Sequence, residues 1–265
     1  GCAYGERLQR AVALLSLLWM AGVLAAQIHG GIAVARLLGV VDPFGHLMVL
    51  VLIYMASRLD LRMAAGIFAL CLVASALVLV YALVTTDGLK LYLWGPSAFV
   101  EDLQTFKPTQ LLATTLAVSL LVCAGADYQQ FVLAARSPWT AVLGCTLAGS
   151  VLLLISFLPP AVVLAAQNAG LLQGMADGKS VVPQILAQAA GSLFPGAGKC
   201  MLICLSLAAL GSGAAILRAM ASALATSLPR EVSPDHPALA VLVLACGAGL
   251  ALRGQGIIAT MVSVN

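Results

Sequence analysis

Long apolar runs, separated by short polar joints, constrain this sequence more than any other feature. A membrane-spanning helix needs about 20 predominantly apolar residues, because the hydrocarbon core of a bilayer is about 30 Å thick. Only 9% of the residues are charged and 62% are hydrophobic, whereas a soluble domain has about 25% charged residues. The pattern predicts an all-α polytopic membrane protein. It excludes a soluble enzyme, a disordered chain and a membrane β-barrel, whose strands would alternate every second residue.

The apolar runs predict seven membrane spans and the beginning of an eighth near Gln255. The seven cover residues 11–38, 43–57, 63–85, 110–134, 139–166, 199–228 and 237–252. The second run barely reaches the length of a span. Two longer polar stretches, 86–109 and 167–198, lie between spans, and we expect a short surface helix at residues 180–193 in the second.

Charges in the joints predict the orientation and location of the chain. If seven spans alternate, the joints that contain Arg7, Arg10, Arg58, Arg62, Arg136 and Arg230 share one side. Short cytoplasmic loops carry an excess of Lys and Arg, so we expect this side to be cytoplasmic. The predicted location is the cell membrane, multi-pass, which is the inner membrane if the protein is bacterial. The lipid bilayer is the expected partner, and a net charge of +3 without basic clusters argues against nucleic acid.

The two ends of the sequence predict an internal piece of a longer protein. The chain begins at Gly1 without Met or a signal peptide, and it ends at Asn265 within an apolar run. A helix that stopped halfway across a bilayer would leave backbone groups unpaired in hydrocarbon. We therefore expect residues 1–265 to form one transmembrane domain that is incomplete at both ends.

Polar side chains within the spans are the candidate functional residues, because lipid offers them no partner. Gln27 and His29 lie near the middle of the first span, two residues apart and hence on different faces of a helix. Each either faces a substrate or proton pathway or bonds to a neighbouring helix. The fourth span adds Ser119 and Asp127. The carboxylate of Asp127 is either a functional group or a side chain that reaches the membrane surface.

The sixth span contains a run of small residues, Ser206–Ala215, followed by Arg218. Small residues let helix backbones approach closely in lipid, and we expect the face of Gly211, Ser212 and Gly213 to pack tightly. Backbone carbonyls and a hydroxyl in such a run would also suit a hard cation, which prefers oxygen ligands. Arg218 is expected either to extend to the cytoplasmic surface or to pair with Asp127.

Four segments together resemble the sodium:solute symporter family. They are Tyr4-Gly5-Glu6-Arg7-Leu8-Gln9-Arg10, Gln129-Gln130-Phe131-Val132-Leu133-Ala134-Ala135-Arg136-Ser137, the loop from Asp177 to Val182-Pro183, and Leu207-Ala208-Ala209-Leu210-Gly211-Ser212-Gly213. The resemblance extends over nearly the whole chain through the order and spacing of these motifs. It implies a core of two inverted five-helix repeats with substrate and ion at the midplane. On this basis the chain would supply core helices three to nine and the start of the tenth.

The resemblance also implies ion-binding residues, with three departures from the family pattern. Ala209 matches the position that offers a backbone carbonyl to sodium, and Ser212 matches the first hydroxyl. The second hydroxyl position is Gly213, which has no side chain. The family's Thr-Asp-x-x-Gln motif falls on Gly66, Ile67 and Leu70, and Phe131 replaces its arginine. These departures indicate a weakened sodium site.

Two functions are consistent with these features. The first is a secondary active transporter, a symporter of a small organic solute coupled to sodium or to protons, with Asp127 and His29 as the titratable candidates. The second is a transporter-like sensor domain of a signalling protein. We expect no enzymatic activity, because the spans contain no paired-Asp, His-rich or Ser/His constellation. No cofactor is expected apart from a sodium ion.

Overall fold

The computed structural model describes residues 5–124, 126–172, 180–228 and 232–252, and every regular element in them is a helix. The all-helical prediction is therefore confirmed for this part of the chain. The helices are α1 Gly5–Leu37, α2 Asp42–Ala56, α3 Leu61–Thr85, α4 Leu89–Leu103, α5 Pro108–Ala124, α6 Ala126–Leu133, α7 Pro138–Ser156, α8 Leu158–Asn168, α9 Val181–Gly191, α10 Ala197–Ser227 and α11 Pro237–Leu252.

Four of the helical stretches are long and apolar enough to cross a membrane. They are Arg7–Leu37, Met63–Thr85, Pro138–Asn168, which joins α7 and α8, and Ala197–Ser227. Two other predicted spans are shorter apolar helices, α2 with 15 residues and α11 with 16. The predicted span at 110–134 is divided between α5 and α6. The predicted beginning of an eighth span lies outside the described residues.

Proline explains why the predicted span at 139–166 consists of two helices. The break is at Phe157, and α8 begins with Leu158 followed by Pro159 and Pro160. Neither proline has a backbone N–H, and each ring would clash with the carbonyl four residues earlier in a continuous helix. Proline is tolerated in the first turn of a new helix, so the chain restarts there.

Helix α4 occupies a stretch that the sequence predicted only as polar. It contains Gly95 and Pro96 in its interior and has no buried residue. Leu91 and Tyr92 pack partly buried against neighbouring apolar side chains, and α4 contacts α8. The short helix that we predicted at 180–193 is confirmed as α9.

The chain divides into two compact units, and the first contains Gly1–Ala69, Cys123–Phe131 and Ser206–Asn265. Within it α1 packs against α2 and α11, and α2 also contacts α11. Its core includes the fully buried side chains Met20, Leu24, Ile28, Ile53 and Leu217, from α1, α2 and α10.

Glycines bring the helices of the first unit close together. A Cβ atom on Gly211 would lie 2.0 Å from the ring of Phe68, and one on Gly213 would lie 3.2 Å from Ile53 Cδ1. On α11, a Cβ atom on Gly247 would lie 2.7 Å from Leu24 Cδ2. The prediction that Gly211 and Gly213 face tightly packed neighbours is confirmed.

The second unit contains Leu70–Val122 and Val132–Leu205. Helix α8 contacts α4, α7 and α9. Its buried side chains, including Leu158 and Val162, meet Leu83 of α3 and Leu186 of α9 in one apolar cluster. Helix α7 has no buried residue, so apolar side chains such as Leu153 and Leu154 are exposed on its surface.

An ion pair lies at the joint between α1 and α2. Gly39 adopts a positive φ of 87° just after α1 ends, a conformation that glycine accepts readily. Arg36 Nε lies 2.5 Å from Asp42 Oδ1, and Nη2 donates to Oδ2 at 3.2 Å. The hydrogen bonds from Arg36 lower the pKa of the Asp42 carboxyl below its ordinary value of 3.8.

Candidate functional site: polar side chains of the first unit

Arg218 is the most firmly held polar side chain of the first unit. It is half-buried on α10, and its guanidinium donates through Nε and Nη2 to the Ser57 carbonyl at 3.2 and 2.6 Å. Nη2 also donates to the Leu59 carbonyl. Both acceptors lie in the joint between α2 and α3, so one side chain ties α10 to this joint.

The end of α2 explains why a cation is stable at this position. Ser57 caps the helix, is 8% exposed, and donates its hydroxyl to the Tyr54 carbonyl at 2.6 Å. The last carbonyls of a helix lack intrahelical donors and form the negative end of the helix dipole. Arg218 supplies the missing donors and a positive charge. The sequence suggested that Arg218 reaches the cytoplasmic surface or pairs with Asp127. Its hydrogen bonds go to a joint that the sequence places on the cytoplasmic side, and the side chain of Asp127 lies outside the described part of the structure.

A second arginine lies beside the first. Arg58 donates through Nη1 to the Asp235 carbonyl at 2.9 Å and through Nη2 to the Tyr54 hydroxyl at 3.1 Å. Its guanidinium also stands 5.1 Å above the centre of the Tyr54 ring, a favourable cation–π distance. Among the described residues, no carboxylate forms a salt bridge with Arg58 or Arg218.

Gln130 forms another bond between segments of the first unit. Its half-buried side-chain amide on α6 donates to the Ala215 carbonyl of α10 at 3.1 Å. Gln130 belongs to one of the segments that resemble the symporter family, but nothing in the sequence indicated that it would bond to Ala215. The bond is typical of amide side chains that join helices in lipid.

Gln27 and Ser212 are predicted site residues, and Gln27 lies beside Gly213, the residue that follows Ser212. Both are half-buried, and Gln27 Cβ lies 3.5 Å from the position that a Cβ atom on Gly213 would occupy, next to Ser212. Within the described part of the chain, neither the Gln27 amide nor the Ser212 hydroxyl makes a hydrogen bond. Both groups therefore remain available to water, an ion or a solute.

Ala209 lies on the same face of α10 as Ser212, three residues away in a continuous helix. Its carbonyl accepts the intrahelical N–H of Gly213, and a carbonyl oxygen has a second lone pair for another partner. Ala209 and Ser212 therefore present a carbonyl and a hydroxyl on one face of α10, and Gln27 of α1 packs beside the adjacent Gly213.

The other predicted residues occupy different surroundings. His29 is buried at 8% exposure on α1, on the opposite side of the helix from Gln27. Ser119 is exposed on α5, in the second unit. Asp127 lies in α6, but its side chain falls outside the described part of the structure. In the residues that the structure describes, no group of three or more His, Cys, Asp or Glu side chains could hold a metal ion.

Comparisons with known proteins give no relative for this chain. No protein-family model, no curated protein and no solved structure matches it. The class of protein that the fold defines is a helical protein with several helices long and apolar enough to span a membrane. The resemblance to sodium:solute symporters remains a prediction that rests on the quoted motifs.

Proposed function

We propose that this chain is the transmembrane domain of a secondary active transporter. The transporter would be a multi-pass symporter that moves a small organic solute together with a cation. The observation that carries the proposal is a pair of uncommitted polar groups, the Gln27 amide and the Ser212 hydroxyl, in a helical unit whose core is apolar. Gln27 packs beside Gly213, the residue that follows Ser212. Polar groups at membrane depth are costly and mark ion or substrate pathways. The inverted-repeat architecture is part of the same proposal.

The ion site in this proposal consists of the Ala209 carbonyl, the Ser212 hydroxyl and water, with the Gln27 amide oxygen within the same cluster. A hard cation such as sodium favours oxygen ligands of this kind. The side chain missing at Gly213 removes one ligand from the family pattern, and Ile67 stands at the position of a carboxylate. Fewer ligands bind an ion more weakly. We therefore propose weak sodium binding, or coupling to protons through Asp127.

Uptake by the full-length protein in sealed liposomes tests this function. A panel of radiolabelled amino acids, sugars and carboxylates would be offered under an inward sodium gradient, an inward proton gradient, and no gradient. The proposal expects at least one solute to accumulate only under a gradient. Accumulation should fall in Ser212→Ala or Gln27→Leu and persist in the matched control Ser222→Ala, an exposed serine on the same helix.

The second candidate function is a sensor domain, which would bind a solute without moving it. The loss of the hydroxyl at Gly213 favours this alternative, because a sensor needs binding but no ion coupling. The same panel distinguishes the two when thermal stability is measured in parallel. A solute that stabilises the protein, but never accumulates under either gradient, would contradict the transporter and favour the sensor.

A further inference from the structure

An apolar cleft lies in the first unit between α2, α3 and α10. Its volume is about 260 Å³, and its lining includes Met55, Ile67, Phe68 and Leu207. Several of these side chains are also exposed at the protein surface, with Met55 at 59% and Leu207 at 44%. Since α3 and α10 are long and apolar enough to cross a membrane, the cleft opens where lipid acyl chains would be.

A polar pocket of about 250 Å³ lies at the joint between α2 and α3. It is lined by Arg58 and Arg218, together with Ser57 and Asp235. A small cavity of about 10 Å³ adjoins both, because it shares Phe68 and Gly211 with the cleft and Ser57 and Arg218 with the pocket. The apolar space and the cationic space are therefore neighbours within one unit.

The two arginines retain hydrogen-bonding capacity for an anion. Among the described residues, Arg218 uses Nε and Nη2 and Arg58 uses Nη1 and Nη2, so Nη1 of Arg218 and Nε of Arg58 remain. Their partners are carbonyls and a hydroxyl, which orient the guanidinium groups without neutralising their charge. Asp235 also lines this pocket, and its negative charge reduces the positive potential there, although among the described residues it forms no salt bridge with either arginine.

From this arrangement we propose that the cleft and the pocket together bind one anionic phospholipid. The acyl chain occupies the cleft beside Met55 and Phe68, and the phosphate of the head group binds at Arg58 and Arg218. Arginine recognises phosphate well, because its planar guanidinium offers several donors to the phosphate oxygens. Basic pockets beside membrane helices bind anionic head groups in the same manner. This site is separate from the ion site at Ser212 and does not depend on transport.

Lipid binding to the full-length protein, purified in neutral detergent, tests this proposal by native mass spectrometry. Dioleoylphosphatidylglycerol would be compared with dioleoylphosphatidylcholine, which has the same chains, and with glycerol phosphate, which has no chain. The anionic lipid should bind at least about fivefold more tightly than the zwitterionic one, since each arginine contributes about 1 kcal/mol near a membrane surface. Equal binding of the two lipids would overturn the proposal. Binding of glycerol phosphate as tight as that of the anionic lipid would also overturn it.

Variants with opposite expected effects test the head-group pocket. Arg58→Gln should weaken binding of phosphatidylglycerol about fivefold, and Asp235→Asn should strengthen it by a similar factor. Arg136→Gln is the matched control, because Arg136 is an exposed arginine in another joint, and it should have no effect. If Arg136→Gln weakens binding as much as Arg58→Gln does, the attraction is non-specific and the proposed pocket is wrong.

The cleft has its own matched pair of variants. Met55 lines it and Met63 does not, although each side chain is 59% exposed. Met55→Ser should weaken binding of phosphatidylglycerol severalfold, and Met63→Ser should leave it unchanged. Equal effects of the two substitutions would contradict the placement of an acyl chain in this cleft.

Discussion

Polar side chains of the two units satisfy their hydrogen bonds in different ways. In the first unit, Arg218 and Gln130 reach backbone carbonyls of other segments. In the second unit, hydroxyls such as Thr146 and Ser150 donate to the preceding turn of their own helix, at 2.9 Å each. Tyr92, which donates to the Leu154 carbonyl at 2.9 Å, and Tyr81, whose hydroxyl lies 3.3 Å from that of Ser192, are exceptions. Hydroxyls of the first unit such as Thr226 also bond within their own helix, so the contrast lies in the guanidinium and amide side chains.

The difference indicates what each kind of bond does. A hydroxyl that bonds within its own helix satisfies its hydrogen bond, which lowers the free-energy cost of placing it in lipid. Such a bond does not hold a neighbouring segment in position. A guanidinium or amide that bonds to another segment fixes the distance and orientation of two segments at once. The first unit, which also contains Gln27 and Ser212, is therefore the part of the molecule in which substitutions should have large and specific effects.

The largest expected effect is that of Gly211→Leu. The new side chain would meet the ring of Phe68, which already lies 2.0 Å from the position of a Cβ atom. Overpacking of this kind costs about 3 kcal/mol. Unfolding of the protein in detergent, followed by circular dichroism, would measure the loss. Gly213→Leu should be less severe, because its nearest neighbour is the side chain of Ile53 at 3.2 Å.

A glycine of the second unit provides the control for Gly211→Leu. Gly149 lies on α7, where a Cβ atom would meet nothing within 4 Å, and Gly149→Leu should change stability by less than about 0.5 kcal/mol. Gly211→Leu should also be partly rescued by Phe68→Ala. If both glycine variants cost the same, close packing does not distinguish the two units.

The second effect concerns the arginine that ties α10 to the joint between α2 and α3. Arg218→Met removes the donors to the part-buried Ser57 carbonyl and the exposed Leu59 carbonyl, and the loss of these hydrogen bonds should cost about 1 kcal/mol because water can reach both acceptors. The loss would be measured by thermal unfolding. Arg136→Met, at an exposed position, should cost less than about 0.5 kcal/mol. If Arg218→Met leaves the thermal stability unchanged, the joint between α2 and α3 keeps its geometry without the bond from α10.

A smaller difference in stability is expected between losing a hydrogen bond that joins two segments and losing one within a single helix. Gln130→Leu removes the bond to Ala215 and should cost about 0.6 kcal/mol, the average for polar contacts between membrane helices. Thr146→Val removes a bond of 2.9 Å within α7 and should be neutral or slightly stabilising. Parallel unfolding curves would measure both. A larger loss for Thr146→Val would reverse the comparison.

The smallest effect is the pH dependence of the Arg36–Asp42 pair. Because the pKa of Asp42 is lowered in the folded protein, its contribution is present above the unfolded value of about 3.9. It is lost as the pH falls through the folded pKa. Asp42→Asn should therefore reduce stability slightly at neutral pH, and its effect should shrink as the pH falls through the folded pKa. Unfolding at several pH values checks this, and a difference that grows in acid would show the opposite sign.

Several helices could be predicted because a long apolar run indicates a segment that can cross a membrane. The helices α1, α3 and α10 follow from their length and composition, and the close packing at Gly211 and Gly213 follows from their small size. Helix α4 was not predicted, because Gly95-Pro96 and Glu101-Asp102 are typical of a polar joint. Its apolar residues nevertheless recur at helical spacing, and this signal could have found it.

The candidate site could be predicted only in part. Gln27 was predicted as a polar residue within an apolar span, and Ala209 and Ser212 were predicted from the resemblance; the structure places Gln27 beside Gly213, the residue that follows Ser212. The partner of Arg218 could not be predicted, because its acceptor carbonyl belongs to Ser57, 161 residues earlier in the chain. Every residue has a carbonyl, so the sequence carries no mark of which one is used.

The sodium dependence of stability tests the proposed ion site most directly. Thermal unfolding of the full-length protein would be followed while sodium chloride replaces choline chloride at constant ionic strength. Once sodium exceeds its dissociation constant, each tenfold rise should stabilise the protein by about 1.4 kcal/mol. We predict that this rise begins only well above millimolar sodium, and that Ser212→Ala removes it while Ser222→Ala does not. Saturable stabilisation at sub-millimolar sodium, or stabilisation that persists in Ser212→Ala, would contradict a weakened ion site at Ala209 and Ser212.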